Sequence, residues 1–303
     1  MSNFFPQSES TNTHPRRKLQ RNDLCWCGSG KKYKKCHLPE DKKALQKKMN
    51  RTATPIDKIH RSDEFIEGMA ASCRLAKDTL IMVEELLKVG VTTDTINTWV
   101  HEFTLDHGAI PATLNYKGYP KSVCTSLNEV ICHGIPDNTI VKEGDIINVD
   151  TTCILNGYFG DTSKTFLMGE CSEDAKKITA VAKECMNRGI AAIKPYGRMG
   201  DIGAAIQEFA HLQGCSVVEK FVGHGIGKVF HSEPQVPHFG KKGTGVTLVP
   251  GMFFTVEPMI NLGDKDLRIL RDNWTAVTID GKLSAQFEHT IFLTETGIEI
   301  MTA

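Results

Sequence analysis

The sequence predicts an α+β fold built from two related halves, and three observations predict it. An amphipathic helix pair occurs twice, with a shift of 106 residues between the copies. Each pair is followed by β-branched stretches punctuated by glycine, which read as strands. Inside those stretches acids interrupt runs that are otherwise apolar, which places a polar centre between the halves.

Taken in order, residues 1–20 are polar and contain Pro, Ser and Thr, a composition expected to stay disordered. Residues 21–37 form a compact Cys/Gly/Lys cluster, and residues 38–60 are Lys-rich with two prolines and read as a basic linker. The body spans 61–303. Its first helix starts at Ser62, an N-cap followed by Asp63 and Glu64, where the helix dipole favours acids. Phe65, Ile66, Met69, Cys73, Ala76, Leu80, Val83 and Leu87 recur at helical spacing, and Gly90 ends the segment. A second helix is predicted from about Thr93 to Asp106, with Ile96, Trp99, Val100 and Phe103 on one face. Helices three and four follow at about Ser172 to Ile193 and Asp201 to Gln213. The shift superposes Lys88 on Lys194, Ile96 on Ile202, Glu102 on Glu208, Phe103 on Phe209 and Gly108 on Gly214.

Composition narrows the class. Hydrophobic content of 40% and charged content of 24% suit a soluble globular chain, and no run of 18 apolar residues is present to span a bilayer. The ten cysteines are scattered rather than framing a small domain, which fits a reducing, cytoplasmic compartment. A net charge of zero conceals an asymmetry: residues 1–51 carry a balance of +9 and the remainder −9. A basic arm on an acidic body suggests an anionic partner, nucleic acid first among them, against a merely solubilising tail.

The segment 145–166 carries the most chemistry. Two β-branched stretches flank Asn156-Gly157, a strong two-residue hairpin signal. With those residues as the loop, position 152 faces 161, so Asp161 shares a sheet face with Thr152 and Asp150. Two carboxylates converging on one face repel unless one is protonated or a cation lies between them. Glu257, in an apolar run from Phe253 to Met259, and Glu288, between Ala285 and Leu293, pose the same problem, because an uncompensated buried carboxylate costs several kcal/mol. Gly223-His224-Gly225 puts an imidazole where glycines permit close backbone approach; His231 follows seven residues on, and His133 sits in the stretch Asn128 to Gly134. His101, His107, His211 and His238 are read as ordinary hydrogen-bonded histidines. Four carboxylates with one imidazole form a hard, oxygen-rich donor set suited to a bridged pair of Mn, Fe, Co or Zn ions.

The stretches YPKSVCTSLNEVICHGIPD, INVDTTCILNGYFGDTSKTF, FVGHGIGKVFHSEPQVPHF, FFTVEPM and SAQFEHTIFLT, in this order, resemble the type I methionine aminopeptidases of the pita-bread fold, over about residues 52–303. The resemblance implies that Asp150, Asp161, His224, Glu257 and Glu288 ligate two divalent ions, with Asp161 and Glu288 bridging. It implies that His133 and His231 contact substrate near the scissile amide, His231 stabilising the oxyanion and His133 positioning the leaving amide, and that Glu257 shuttles the proton. The implied reaction is attack on the first peptide bond by a metal-activated hydroxide, removing the initiator methionine from nascent chains whose second residue is small. Thr113, Tyr116, Tyr119, Cys124, Phe230 and Trp274 would form the methionine pocket, with Thr113 where the bacterial enzymes compared carry Cys. The short interval between His231 and Glu257 excludes the insertion of the type II enzymes. The family also implies a monomer.

Cys25, Cys27, Cys36 and His37 form C-x-C-x8-C-H, three soft thiolates and an imidazole suited to a closed structural zinc site. The pattern resembles the zinc-binding motif at the carboxyl end of the SecA translocation motor, the SEC-C motif. Flanking lysines with Trp26 and Tyr33 make the ribosome a candidate partner. Two rival readings remain for the whole chain: an X-Pro aminopeptidase or prolidase of the same fold, and a non-catalytic ribosome-binding homologue.

Overall fold

In the computed structural model the described residues are 20–25, 27–40, 59 and 61–303. The tail predicted over 1–20, nearly all of the linker and Trp26 lie outside them. Residues 38–40 are helical, so the segment read as linker opens inside a helix. The chain divides into two compact units, Met1–Pro55 and Ile56–Ala303.

The described part of the small unit is a tight loop. Leu24 bridges Lys32 in antiparallel fashion, Cys25 N–H donates to Lys31 O at 2.9 Å, and a 3-10 turn spans Tyr33–Lys35.

The large unit carries the two halves. The first comprises α1 (Asp63–Leu86), α2 (Thr93–Asp106), β1 (Ile110–Pro111), β2 (Cys124–Leu127), β3 (Val130–Cys132), β4 (Ile146–Leu155) and β5 (Tyr158–Leu167). The second comprises α3 (Glu173–Ala191), α4 (Met199–Leu212), β6 (Ser216–Val217), β7 (Gly223–Gly225), β8 (Ser232–Val236), β9 (Phe253–Val256), β10 (Met259–Asn261), β11 (Leu267–Ile269), β12 (Ala276–Thr278), β13 (Ser284–Gln286), β14 (His289–Leu293) and β15 (Ile298–Ile300).

Local chemistry sets the helix ends. Ser62 Oγ accepts from Phe65 N–H, so the predicted N-cap acts as one, and Ser172 Oγ at the predicted start of the third helix accepts from Ala175 N–H, each at 3.2 Å. The fourth helix begins two residues before the predicted Asp201. That acid is not the cap but the third helical residue, and its carboxylate reaches back to Arg198 N–H at 3.1 Å. Met69, Cys73, Ala76, Leu80 and Val83 of α1 recur every three or four residues and are buried. The second half buries Ile178, Ile202, Ile206, Leu248, Phe254 and Ile260 in a larger cluster around α3 and α4.

Two sheets hold the site. One orders β1-β4-β2 with β5 on β4, and the other orders β15-β14-β9-β7-β8. The β4–β5 register pairs Leu155 with Tyr158 and Thr152 with Asp161, as the hairpin predicts. Asn156 (φ 53°) and Gly157 (φ 82°) supply the two left-handed residues that a type I′ turn requires. In the second sheet the β9–β14 ladder ends at Val256–His289, and one step further along stand Glu257 and Glu288. The halves join between β5 and β14. Glu288 N–H donates to Ser163 O (3.0 Å), Thr162 Oγ1 to Glu288 O (2.8 Å) and Thr290 Oγ1 to Asp161 O (2.8 Å).

Candidate active site

Strand periodicity aims the acids. Side chains two apart on a strand share a face, so Asp150 lies beside Thr152 on β4, while Glu257 and Glu288 stand one residue outside β9 and β14. The polar neighbours then orient the carboxylates. Thr152 Oγ1 donates to Asp161 Oδ1 at 2.7 Å, Thr255 Oγ1 to Glu257 Oε1 at 2.7 Å, and Gln286 Nε2 to Glu257 Oε2 at 3.2 Å. His224 sits on β7 between two glycines, and a Cβ at Gly225 would lie 2.3 Å from Glu233 O. Only glycine allows that strand approach. The ring's Nδ1–H donates to Gly225 O at 3.2 Å, which leaves Nε2 toward the acids, 3.5 Å from Asp161 Oδ2 and 3.6 Å from Glu257 Oε1.

Candidate ligand atoms of Asp161, His224 and Glu288 all lie within 4.8 Å of one another. Asp150 and Glu257 stand just outside this trio but line the same cavity of about 190 Å³. Its walls include Thr113, Tyr116, Tyr119, Cys124, His133, Phe230, His231 and Trp274, so every residue predicted for substrate faces the space that the five donors face.

The electrostatics are those of an overcrowded acidic site. Burial, then Asp161, then Glu257 push the Asp150 carboxyl well above the usual range, and burial followed by Asp161 does the same to Glu288. Burial raises Glu257 to about 7 against the opposing pull of His224. Burial by itself would depress His224, yet the Asp161 hydrogen bond and the Glu257 and Asp161 charges lift it to about 9. Four carboxylates therefore share one imidazole, and Glu288 Oε1 is buried with no hydrogen-bond partner among the described residues. Divalent cations fit this donor set: they would satisfy that oxygen and neutralise the mutual repulsion.

The remaining predicted residues are held by rings and hydroxyls. Tyr116 Oη and His231 Nδ1 are 2.9 Å apart in a stacked pair, and His231 lies 4.1 Å, ring to ring, from His224. Tyr119 Oη donates to Gly134 O at 2.8 Å while its ring meets Trp274 edge-on at 5.1 Å. His133 packs between Phe221 and Trp274, and burial depresses it to about 4, so it is neutral near pH 7. The Thr113 hydroxyl is buried without a partner among the described residues.

Several residues of the site escape the sequence reading. His238, taken as an ordinary histidine, is fully buried, and its Nε2 accepts the Glu257 N–H at 3.1 Å. No local signal marks it, because the contact spans 19 residues. Gln286 was accessible in principle: it stands two residues before Glu288. Lys117 lines the cavity as well.

In the small unit the donor atoms of Cys25, Cys27, Cys36 and His37 also lie within 4.8 Å of one another. Cys27 Sγ is 3.6 Å from Cys36 Sγ, and His37 Nδ1 is 3.2 Å from both Cys25 Sγ and Cys36 Sγ. These separations are close to the edge, about 3.7 Å, of a tetrahedron with bonds of about 2.3 Å, so the cluster is compatible with zinc.

The chain matches the model of metallopeptidase family M24 over residues 67–295 and that of the SEC-C motif over residues 21–39. It is 55% identical over 238 residues to methionine aminopeptidase A of Synechocystis sp., covering 78% of this chain and 94% of that protein. A methionine aminopeptidase of Chlamydia pneumoniae is 43% identical over 291 residues, 94% of this chain and 99% of that one. The crystal structure of the Rickettsia prowazekii methionine aminopeptidase superposes with a TM-score of 0.79 at 48% identity, covering 82% of this chain and all of that one. Prolidase from Pyrococcus furiosus, with a TM-score of 0.64 at 19% identity over 81% of this chain and 66% of that one, shares the fold.

Proposed function

The chain belongs to metallopeptidase family M24, among its type I methionine aminopeptidases, and from that premise we propose how its own residues remove the initiator methionine from nascent polypeptides with a small second residue. Asp150, Asp161, His224, Glu257 and Glu288 would hold two divalent ions. Cobalt, manganese, iron and zinc all suit this oxygen-rich set. The observation that carries the reading is Glu288 Oε1, a buried carboxylate oxygen without a partner in a ring of acids that repel one another. Such an ion pair supplies two things when bound: it lowers the pKa of water into the neutral range and polarises the scissile carbonyl.

The side chains do the rest. Glu257, fixed by Thr255 and Gln286, takes the proton of the attacking water and passes it to the leaving amine. His231, held by Tyr116 through Nδ1, has Nε2 left to stabilise the developing oxyanion. Neutral His133 positions the leaving amide. The methionine side chain enters among Tyr119, Cys124, Phe230 and Trp274, where aromatic contacts suit a thioether at about 0.3–1.5 kcal/mol each.

The enzyme works as a cytoplasmic monomer, and the described residues contain no helix long and apolar enough to cross a membrane. Cys25, Cys27, Cys36 and His37 hold a structural zinc, and the basic module around them docks on the ribosome. Peptide assays test the activity: Met-Ala peptides are turned over and Ala-Pro peptides are not, whereas the reverse would favour the X-Pro reading. Calorimetric titration of manganese gives two ions for the wild type and weaker binding for Glu288→Gln. Undiminished binding by that variant overturns the ligand set. Co-sedimentation with ribosomes of the full chain, but not of a chain beginning at residue 52, tests the docking.

A further inference from the structure

We propose that Lys117 reads the charge of the substrate just beyond the scissile bond, favouring an acidic third residue over a basic one. The inference rests on the aminopeptidase reading of the cavity. Lys117 is the one Lys or Arg among the described residues lining it, and four carboxylates line its inner end. Lys117 is exposed, and its backbone conformation is unusual. Lys117 is in the left-handed region (φ 48°, ψ 29°) inside the 3-10 turn Tyr116–Gly118, and Asn115 before it is left-handed too (φ 63°). Neither Gly nor Asn, it adopts a conformation that a bulky side chain disfavours. Asn115 N–H to Tyr119 O at 2.7 Å and Tyr116 N–H to Thr113 O at 3.0 Å clamp the turn.

Lys117 Nζ lies over the Tyr116 ring, 5.1 Å from its centroid. No acid among the described residues forms a salt bridge with it.

The direction of the substrate follows from burial. The methionine pocket closes at its inner end on Tyr119 and Cys124, both buried, whereas Lys117 is exposed at the rim. A chain with its methionine inside must leave past that rim, and with cations neutralising the inner acids, Lys117 dominates the field there. An exposed charge pair changes binding only modestly, by about two- to fivefold, and salt screens it.

The experiment compares kcat/KM for C-terminally amidated Met-Ala-Asp, Met-Ala-Ala and Met-Ala-Lys peptides, at low and high salt. It uses wild type, Lys117→Asn and Lys117→Glu. Asn accepts the left-handed backbone, so the first variant removes charge without adding strain. The wild type is expected to favour the acidic over the basic peptide by about fivefold at low salt, chiefly through KM, with little preference at about 0.5 M salt. The ratio collapses toward one in Lys117→Asn and reverses in Lys117→Glu. An acid-to-base ratio that is the same in all three proteins overturns the inference, as does a wild-type ratio of one at low salt. Failure of the underlying reading looks different: wild type would not release methionine from Met-Ala-Ala at all.

Discussion

The two donor clusters of this chain reach similar compactness by opposite routes. In the small unit four donors come from a single stretch, Cys25 to His37, and touch one another at 3.2–3.6 Å. Around them the described residues offer few apolar contacts, and Cys25 is the one buried hydrophobic side chain there. In the large unit the donors are spread from Asp150 to Glu288, carried by strands of two sheets backed by helices. Among its described residues the first cluster has no apolar core around it, whereas the second is placed by strands that pack on an extensive core. A local donor set is a folding device, and a dispersed one is a preorganised tool.

The sharpest way to break this contrast is to remove metal. Chelation, or Cys36→Ser, should unfold the small unit, since structural zinc is worth about 10–16 kcal/mol in modules of this kind. The thermal transition of the large unit should move little under the latter change. Equal loss of structure in both units, followed by circular dichroism and calorimetry, would erase the distinction.

Next in size is Glu257→Ala. Loss of a proton shuttle should lower kcat for Met-Ala peptides by about 10²–10⁴-fold, with the fold intact by calorimetry. Full-rate methionine release by that variant would remove Glu257 from the mechanism.

Acid provides a third measure of how far the large unit depends on burial alone. His289 is depressed from 6.5 to about 4, chiefly by burial. Between those values the unfolded chain binds the proton and the folded one does not, so stability rises with pH and is lost as pH falls from about 6.5 to 4. The contribution is about 2–3 kcal/mol, and His289→Gln should flatten that part of the stability curve. In the small unit acid would act through the donors: Ser29 is the first cause that lowers Cys27 to about 6, so protons would compete with a bound metal for that thiolate at acid pH. An unchanged slope in His289→Gln would mean that other groups carry the acid sensitivity.

The smallest expected effect concerns preorganisation itself. His238→Leu removes the acceptor of the buried Glu257 N–H and should cost about 1–3 kcal/mol, part of it in kcat. His238→Gln, which can still accept, should recover kcat toward wild type. A similar loss in both variants would make His238 a packing residue only.

Much of the site was legible in the chain. Acids inside apolar strands are costly enough to demand a cation, and Asn156-Gly157 fixes the register that puts Asp161 opposite Thr152. Ser62 and Ser172 mark helix starts because capping is a matter of three residues. The fourth helix starts at Met199, two residues before the expected Asp201, whose carboxylate reaches back to Arg198 N–H.

What the sequence determined by itself was therefore whatever depends on near neighbours: strand faces, hairpin register, helix caps and the four-donor motif of the small unit. Tertiary structure decided which faces meet. The bridge of Glu288 to Ser163, the His238 acceptor behind Glu257 and the seat of Lys117 at the rim join residues that no short-range pattern connects. The physical reason is range. Torsional and hydrogen-bond preferences act over a few residues, whereas burial and charge act on whatever the folded core brings into contact.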